Sequence, residues 1–157
     1  AAGKYPVEAV SAMSRIAVET EADIHYDRRF HATDFTLYSS SDAMSHGACS
    51  LAIDVGASAI VACTLSGETA RQVSRFRCPK PIIGMTTSRK VWNQLALAWN
   101  VLPSLSEQFP SVDVLLYYAA NAARRSGLVE PGQHIIITAG STNGASGNTD
   151  LIKMSEV

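Results

Sequence analysis

Short apolar runs alternate with segments of helical spacing through the second half of the chain. The apolar runs predict five strands, at residues 59–64, 81–86, 100–105, 133–140 and 149–157. Between the first four strands, apolar positions at helical spacing predict three helices, at residues 68–77, 88–99 and 111–128. Buried strands that alternate with helices are typical of a mostly parallel sheet with helices on both faces.

The connection before the last strand decides the direction of that strand. Residues 140–148 form a glycine-rich stretch that is too short for the crossover of about a dozen residues that parallel strands need. The last strand is therefore expected to run antiparallel to its neighbour. The predicted fold is α/β: a three-layer α/β/α sandwich around a mostly parallel five-stranded sheet.

The first part of the chain carries a weaker pattern. A helix is predicted over 6–27, where Pro6 suits a first helical turn. Residues 28–40 show no sustained periodicity and are interpreted as a linker. The aromatic residues expected to hold this linker to a surface are Phe30, Phe35 and Tyr38. The next helix is predicted to start near Ser41 and Asp42, which are both good caps. Its expected buried residues are Met44, Gly47, Ala48, Leu51 and Val55.

Composition places the chain among globular proteins with a packed core. Hydrophobic residues make up 46% of the 157 residues and charged residues 17%. The net charge of −1 predicts no general attraction to nucleic acids or acidic membranes. No apolar run reaches the roughly 18 residues of a membrane-spanning helix. The first 20 residues carry charges and lack a continuous apolar core, so they are not expected to be a signal peptide.

The three cysteines, Cys49, Cys63 and Cys78, show no CxxC pairing. An odd number without such pairing argues against a disulfide framework and against a zinc site. Cys63 lies within an apolar strand and is interpreted as a small core residue. The expected compartment is therefore reducing and cytoplasmic.

Ligands of such sheets bind beyond the carboxyl ends of the strands, and three loops fit that place: 64–69, 86–89 and 140–148. Their candidate residues are Thr64, Ser66, Gly67, Thr69, Thr86, Ser88, Gly144 and Gly147. Hydroxyls, glycines and helix N-termini together can hold a phosphate. The alternative is that Ser66, Thr69 and Ser88 only cap helices.

Glu68 lies inside the first of these loops, "TLSGET". A carboxylate at a helix start is favourable with the helix dipole, but it would repel an anion bound there. Either its side chain points away from the loop, or this loop does not hold phosphate.

The sequence shows no catalytic constellation. The four histidines are scattered without metal-ligand spacing, Ser66 is not in a G-x-S-x-G elbow, and no Walker-type motif exists. Trp92 and Trp99 are interpreted as packing residues. Five arginines near helix ends are candidates either for effector contacts or for simple dipole complements, namely Arg71, Arg75, Arg77, Arg124 and Arg125.

Three stretches together resemble one family in its order and spacing. "GKYPVEAV" (3–10) is similar to the segment that closes the catalytic barrel of pyruvate kinases. Residues 58–86 and 127–154 resemble the start and the end of the C-terminal domain of that family. The resemblance implies that residues 1–30 are the last barrel helix and the start of a linker, and that 31–157 are the C-terminal α/β domain.

The resemblance also implies what the chain does not contain. Catalysis in this family takes place in the barrel, where Mg and K are bound, so this chain is expected to hold no cofactor and to be inactive alone. The C-terminal domain of the family carries an effector site and a subunit interface of the tetramer. The implied partners are a phosphorylated small molecule and further copies of the chain.

The phosphate loop of the family has the pattern T-x-S-G-x-[ST], which Thr64, Ser66, Gly67 and Thr69 match. Glu68 departs from the pattern, since relatives often have a basic, polar or small residue there. Leu115 stands where relatives that bind fructose 1,6-bisphosphate can have an arginine. Both departures favour a sugar monophosphate or nucleotide monophosphate over fructose 1,6-bisphosphate.

Three hypotheses follow. The first is a regulatory domain of a bacterial-type pyruvate kinase that binds such an effector. The second is a subunit-assembly module that has lost effector binding, with Glu68 as the symptom. The third is a stand-alone enzyme of flavodoxin-like shape, which would need a catalytic constellation that the sequence does not show.

Overall fold

A computed structural model describes residues 2–140 and 148–157 of the chain. The elements of the described part, in chain order, are α1 (Pro6–Ala22), α2 (Tyr26–Ala32), α3 (Ser40–Asp54), β1 (Ala59–Cys63), α4 (Glu68–Arg75), β2 (Ile82–Thr86), α5 (Arg89–Leu95), β3 (Val101–Leu105), α6 (Val112–Arg125), β4 (His134–Ala139) and β5 (Leu151–Glu156).

The five strands form one sheet in the order β3-β2-β1-β4-β5. Every pair is parallel except β4 with β5, which is antiparallel. At the centre of the sheet, Val61 of β1 lies opposite Ile83 of β2 on one side and Ile137 of β4 on the other. The predicted α/β fold, with its mostly parallel sheet and antiparallel last strand, is confirmed.

Helices cover both faces of the sheet, because successive strand residues point to opposite faces. On one face, Ile60, Ile82 and Ile136 pack in a core cluster with residues of α3, α4 and α5. On the other face, the cluster of Val61 and Ile83 includes the alanines of α6. Those alanines are Ala119, Ala122 and Ala123. The result is the predicted three-layer sandwich.

Central and edge strands differ in burial. Every residue of β1 and of β2 is buried, which explains their continuous apolar runs. Strand β3 lies at an edge and is only partly buried. Pro103, within β3, has no N–H to donate to a further strand, which suits an edge position.

The N-terminal predictions need correction. The helix predicted over 6–27 ends at Ala22, and residues 28–32, predicted as linker, belong to the separate helix α2. Tertiary contacts hold this short helix: Phe30 is 4% exposed, with its ring stacked on His46 at a centroid distance of 5.0 Å. A helix of seven residues is too short for its periodicity to be visible in the sequence.

Two further expectations in this region are wrong. Tyr38 is 82% exposed and does not hold the linker to a surface, whereas Phe35 does pack against the core. Val55 lies one residue beyond the end of α3 and is 39% exposed.

Helix α5 also ends earlier than predicted, at Leu95, since the residues that follow form turns.

Helix α1 contrasts with the other helices, because none of its residues is buried. It carries an apolar stripe at helical spacing that faces away from the described core. The large apolar residues exposed on α1 and just before it are Tyr5, Val7, Val10, Met13, Ile16 and Val18.

Candidate anion site at the carboxyl edge of the sheet

The carboxyl ends of β1 and β2 lie side by side, because the two strands are parallel neighbours. Just beyond them, the amide of Thr64 donates to the carbonyl of Met85 at 2.9 Å. Residues 64–67 connect β1 to α4 and are named the β1–α4 loop here. The pairing places Thr64 close to Thr86, so the structure brings two of the predicted loops together at one edge.

Gly67 sets the shape of the β1–α4 loop. It is the N-cap of α4, has a φ of 83°, and offers no side chain to accept from the first amides of that helix. A Cβ at this position would lie 2.7 Å from Nη1 of Arg71 and 3.0 Å from Cγ1 of Val91. Glycine is required here both by the left-handed backbone and by the close neighbours.

Two hydroxyls fold the loop back on itself. Oγ1 of Thr64 accepts from the amide of Gly67 at 2.9 Å, and Oγ of Ser66 accepts from the amide of Glu68 at 3.4 Å. These bonds are local turn bonds and not a helix cap. The amides of Thr69 and Ala70, in the first turn of α4, lie at the positive end of its dipole.

Glu68 is engaged along its own helix. Its Oε2 lies 3.1 Å from Nη2 of Arg71, and its Oε1 accepts from Nε2 of Gln72 at 3.2 Å. Nη2 of Arg71 also donates to the carbonyl of Ser66 at 3.1 Å. The side chains of Arg71 and Glu68 are 44% and 47% exposed. The negative charge at the loop is therefore balanced by a neighbouring arginine, and the carboxylate extends toward the second turn of α4.

Thr69 makes a different kind of contact. Its Oγ1 lies 2.9 Å from Oγ1 of Thr149, and this hydroxyl pair is buried. The amide of Thr149 donates to Oγ of Ser41 at 3.2 Å, also in a buried position. The first turn of α4 is thereby joined to the first turn of α3 through Thr149, which lies two residues before β5.

Thr86 and Ser88 serve local structure in the second loop. Oγ1 of Thr86 accepts from the amide of Ser88 at 3.3 Å. Oγ of Ser88 accepts from the amide of Val91 at 3.4 Å and so caps α5. For Ser88, the capping role is observed. The predicted site residues Gly144 and Gly147 lie outside the described residues.

Asp42 was predicted from the sequence only as a helix cap. Its Oδ2 accepts from the amide of Tyr38 at 3.0 Å, and its Oδ1 lies 3.3 Å from Nη1 of Arg75. The cap of α3 is instead Ser39, whose Oγ accepts from the amide of Asp42 at 3.1 Å. Asp42 is 3% exposed, so this ion pair ties the end of α4 to the start of α3.

The other arginines and the tryptophans do not converge on the β1–α4 loop. The guanidinium of Arg77 lies over the ring of Trp99 at 4.8 Å. Nε1 of Trp92 donates to the carbonyl of Pro103, a packing role as expected. Arg124 and Arg125 belong to the last turn of α6. Arg125 lines an open cleft of about 390 Å³ between β3 and α6.

The cysteines are buried thiols. Cys63 is 6% exposed in the core, as predicted, and burial raises its pKa to about 12. Sγ of Cys78 donates to the carbonyl of Cys49 at 3.8 Å, and Sγ of Cys49 donates to the carbonyl of Val73 at 3.7 Å. The neighbouring thiol of Cys78 and burial raise the pKa of Cys49. In residues 2–140 and 148–157, no group of three or more His, Cys, Asp or Glu side chains is placed to hold a metal ion. The same described ranges contain no helix with the length and apolar character to cross a bilayer.

Comparison with known proteins matches residues 42–155 to the family described as "Pyruvate kinase, alpha/beta domain". The chain is 39% identical over 156 residues to a pyruvate kinase of Clostridium acetobutylicum, covering 99% of this chain and 33% of that protein. It is 38% identical over 155 residues to a pyruvate kinase of Geobacillus stearothermophilus, covering 98% of this chain and 26% of that protein.

A further relative is pyruvate kinase 2 of Synechocystis, 36% identical over 157 residues, which covers 100% of this chain and 26% of that protein. The chain thus spans between 26% and 33% of the length of these curated relatives. The likeness extends over the whole chain, including the N-terminal helices that precede residue 42.

Proposed function

The chain belongs to the pyruvate kinase family, of which it is the C-terminal α/β domain, and on that premise we propose that it is the regulatory and oligomerisation domain of a pyruvate kinase. The reaction of the whole protein is the transfer of phosphate from phosphoenolpyruvate to ADP, yielding pyruvate and ATP. We place that chemistry, with its Mg and K, in a catalytic barrel outside this segment. Alone, this segment is expected to be inactive.

The effector site of the proposal is the β1–α4 loop with Thr69, assisted by residues 86–88 and 140–148. The observation that carries it is the start of α4: Gly67 leaves the helix without a side-chain cap, at the carboxyl edge of a parallel sheet. A phosphate would supply the missing acceptors for the first-turn amides, in addition to a favourable interaction with the dipole. Regulation follows if the effector binds one arrangement of the whole protein better than another.

The proposed ligand is a sugar monophosphate or nucleotide monophosphate. Leu115 packs against the apolar core of the α6 face and offers no charge to a second phosphate. Glu68 does not preclude the first phosphate, because Arg71 balances its charge at 3.1 Å. The two departures from the family pattern thus differ in their effect. Leu115 limits the ligand to a single phosphate, whereas the charge of Glu68 is compensated by Arg71.

Calorimetric titration of this chain with ribose 5-phosphate, AMP and fructose 1,6-bisphosphate tests the proposal. We expect binding of a monophosphate, and no tighter binding of the bisphosphate. An absence of heat for all three at millimolar concentration would rule out effector binding by the domain. Glu68→Lys then separates the remaining hypotheses: binding that appears only in this variant means that the natural loop has lost its effector and serves assembly.

Helix α1 also bears on how this segment packs in the whole protein. A helix with no buried residue and an apolar stripe needs a partner surface. We propose that residues 1–30 pack in the whole protein as the last helix of the barrel, and that the domain pairs with further copies of the chain. Light scattering of a version that begins at residue 23 tests the pairing, since any dimer or tetramer that forms without α1 is held together by the domain itself. The free thiols Cys49, Cys63 and Cys78 agree with the proposed cytoplasmic location.

A further inference from the structure

The buried hydroxyl pair of Thr69 and Thr149 holds the start of α4. The two Oγ1 atoms lie 2.9 Å apart, and either atom can be the donor. Thr149 is 2% exposed and is fixed independently of its hydroxyl, since its amide donates to Oγ of Ser41. Thr69 is 7% exposed and lies in the first turn of α4.

The direction of this hydrogen bond determines what Thr69 can do. A hydroxyl has one proton and two acceptor lone pairs. If Thr69 donates to Thr149, no proton of Thr69 remains for an anion. If Thr149 donates to Thr69, the proton of Thr69 is free to be donated elsewhere. Phosphate oxygens of a bound dianion only accept, so a phosphate at Thr69 requires the second arrangement.

We propose that Thr149 is a positioning residue of the effector site: its buried hydroxyl donates to Thr69 and thereby commits the proton of Thr69 to the phosphate. This inference rests on the proposed function. Thr149 acts through Thr69 and need not touch the ligand. A hydrogen bond to a charged group is stronger than a neutral one, and in a chain each bond polarises the next, so the charge of the phosphate favours this direction.

The test is the affinity of ribose 5-phosphate for variants at position 149. Thr149→Val keeps the shape of the side chain and removes the hydroxyl, and it should weaken binding about threefold to tenfold. Thr149→Ser restores the donor and should bind as the natural chain does. If Thr149→Val does not fold, Thr149→Ala supplies the same comparison.

Thr138, a buried threonine of β4, provides a matched control. Its Oγ1 is buried without a hydrogen-bond partner among the described residues. Thr138→Val therefore makes the same chemical change without affecting the pair. It should leave the affinity for ribose 5-phosphate unchanged and should not lower the melting temperature.

A double-mutant cycle separates positioning from a general structural effect. If Thr149 acts through Thr69, then Thr149→Val should have no further effect on affinity in a Thr69→Val background. Additive losses would overturn the inference, as would unchanged affinity of Thr149→Val in a natural chain that binds. If the natural chain binds neither ribose 5-phosphate nor AMP, the proposed function fails, and this inference fails with it.

Discussion

Helices α4 and α5 begin at equivalent places in the fold, yet their first turns are built differently. Each follows a buried parallel strand, and the two strands are neighbours. Ser88 caps α5 with its own hydroxyl, whereas Gly67 leaves α4 without a side-chain cap. At the same location in the fold, α5 therefore begins with a side-chain cap and α4 begins without one. The open start is the one suited to an external acceptor.

The contrast shows that serine and threonine content does not by itself identify a phosphate site. Both loops are rich in hydroxyls, and both resembled anion sites in the sequence. What separates them is the residue at the N-cap and where the nearby hydroxyls are engaged. Thr64 and Ser66 shape the β1–α4 loop, while Ser88 occupies the helix amide that a ligand would need.

The largest effect is expected from giving α4 the cap that α5 has. Gly67→Ser places a side chain on a left-handed backbone, which should cost about 1–2 kcal/mol of stability. The new side chain would also press against Arg71 and Val91. The shifted loop should bind ribose 5-phosphate more than about tenfold less tightly, since bonds to a charged ligand are lost. Urea denaturation and calorimetry measure the two effects.

Gly127 provides the control for Gly67→Ser. It also has a positive φ, 72°, but an added Cβ would meet nothing within 4 Å. Gly127→Ser should reproduce the backbone cost and leave ligand affinity unchanged. Equal loss of affinity in both glycine variants would show that strain alone, and not the shape of the β1–α4 loop, governs binding.

A middle effect is expected from removing the cap of α5. Ser88→Ala leaves the amide of Val91 without its acceptor and should cost about 1 kcal/mol of stability. Ser111→Ala at the start of α6 should cost a similar amount, because Ser111 accepts from Val114 in the same way. The loss of affinity in Ser88→Ala should be smaller than in Thr69→Val. A loss as large would mean that α5 contributes to the site as much as α4 does.

The smallest effect on stability is expected from Glu68→Gln. The ion pair with Arg71 is almost half exposed, so its loss should change stability by less than about 0.5 kcal/mol. Affinity for ribose 5-phosphate should rise about twofold to fivefold, because a like charge is removed beside the ligand. The gain should shrink in high salt. Unchanged affinity at low salt would show that Arg71 already cancels the charge of Glu68 completely.

Much of the fold could be predicted because it depends on local pattern. The buried runs of β1, β2 and β4 are continuous, and the short connection before β5 fixes its direction. Helix α2 was missed because it is stabilised by contacts of Phe30 with distant residues and not by its own periodicity.

In the candidate site, too, the local features could be predicted from the sequence and the contacts between distant residues could not. Gly67 and the hydroxyls of the β1–α4 loop lie close together in the chain, so a short motif indicates them. The pair of Thr69 and Thr149 joins residues 80 positions apart, and no local pattern indicates such a contact. The ion pair of Asp42 with Arg75 could not be predicted for the same reason.

The burial of all three cysteines makes the natural chain a ready background for site-specific labelling. Cys49 and Cys78 are fully buried and Cys63 nearly so, so a thiol reagent should react with none of them until the chain unfolds. A cysteine introduced at the exposed position Asn148, beside Thr149, would then be the one reactive thiol. A fluorophore attached there would report on the α3–α4 junction as ligand is added, without any prior removal of native residues.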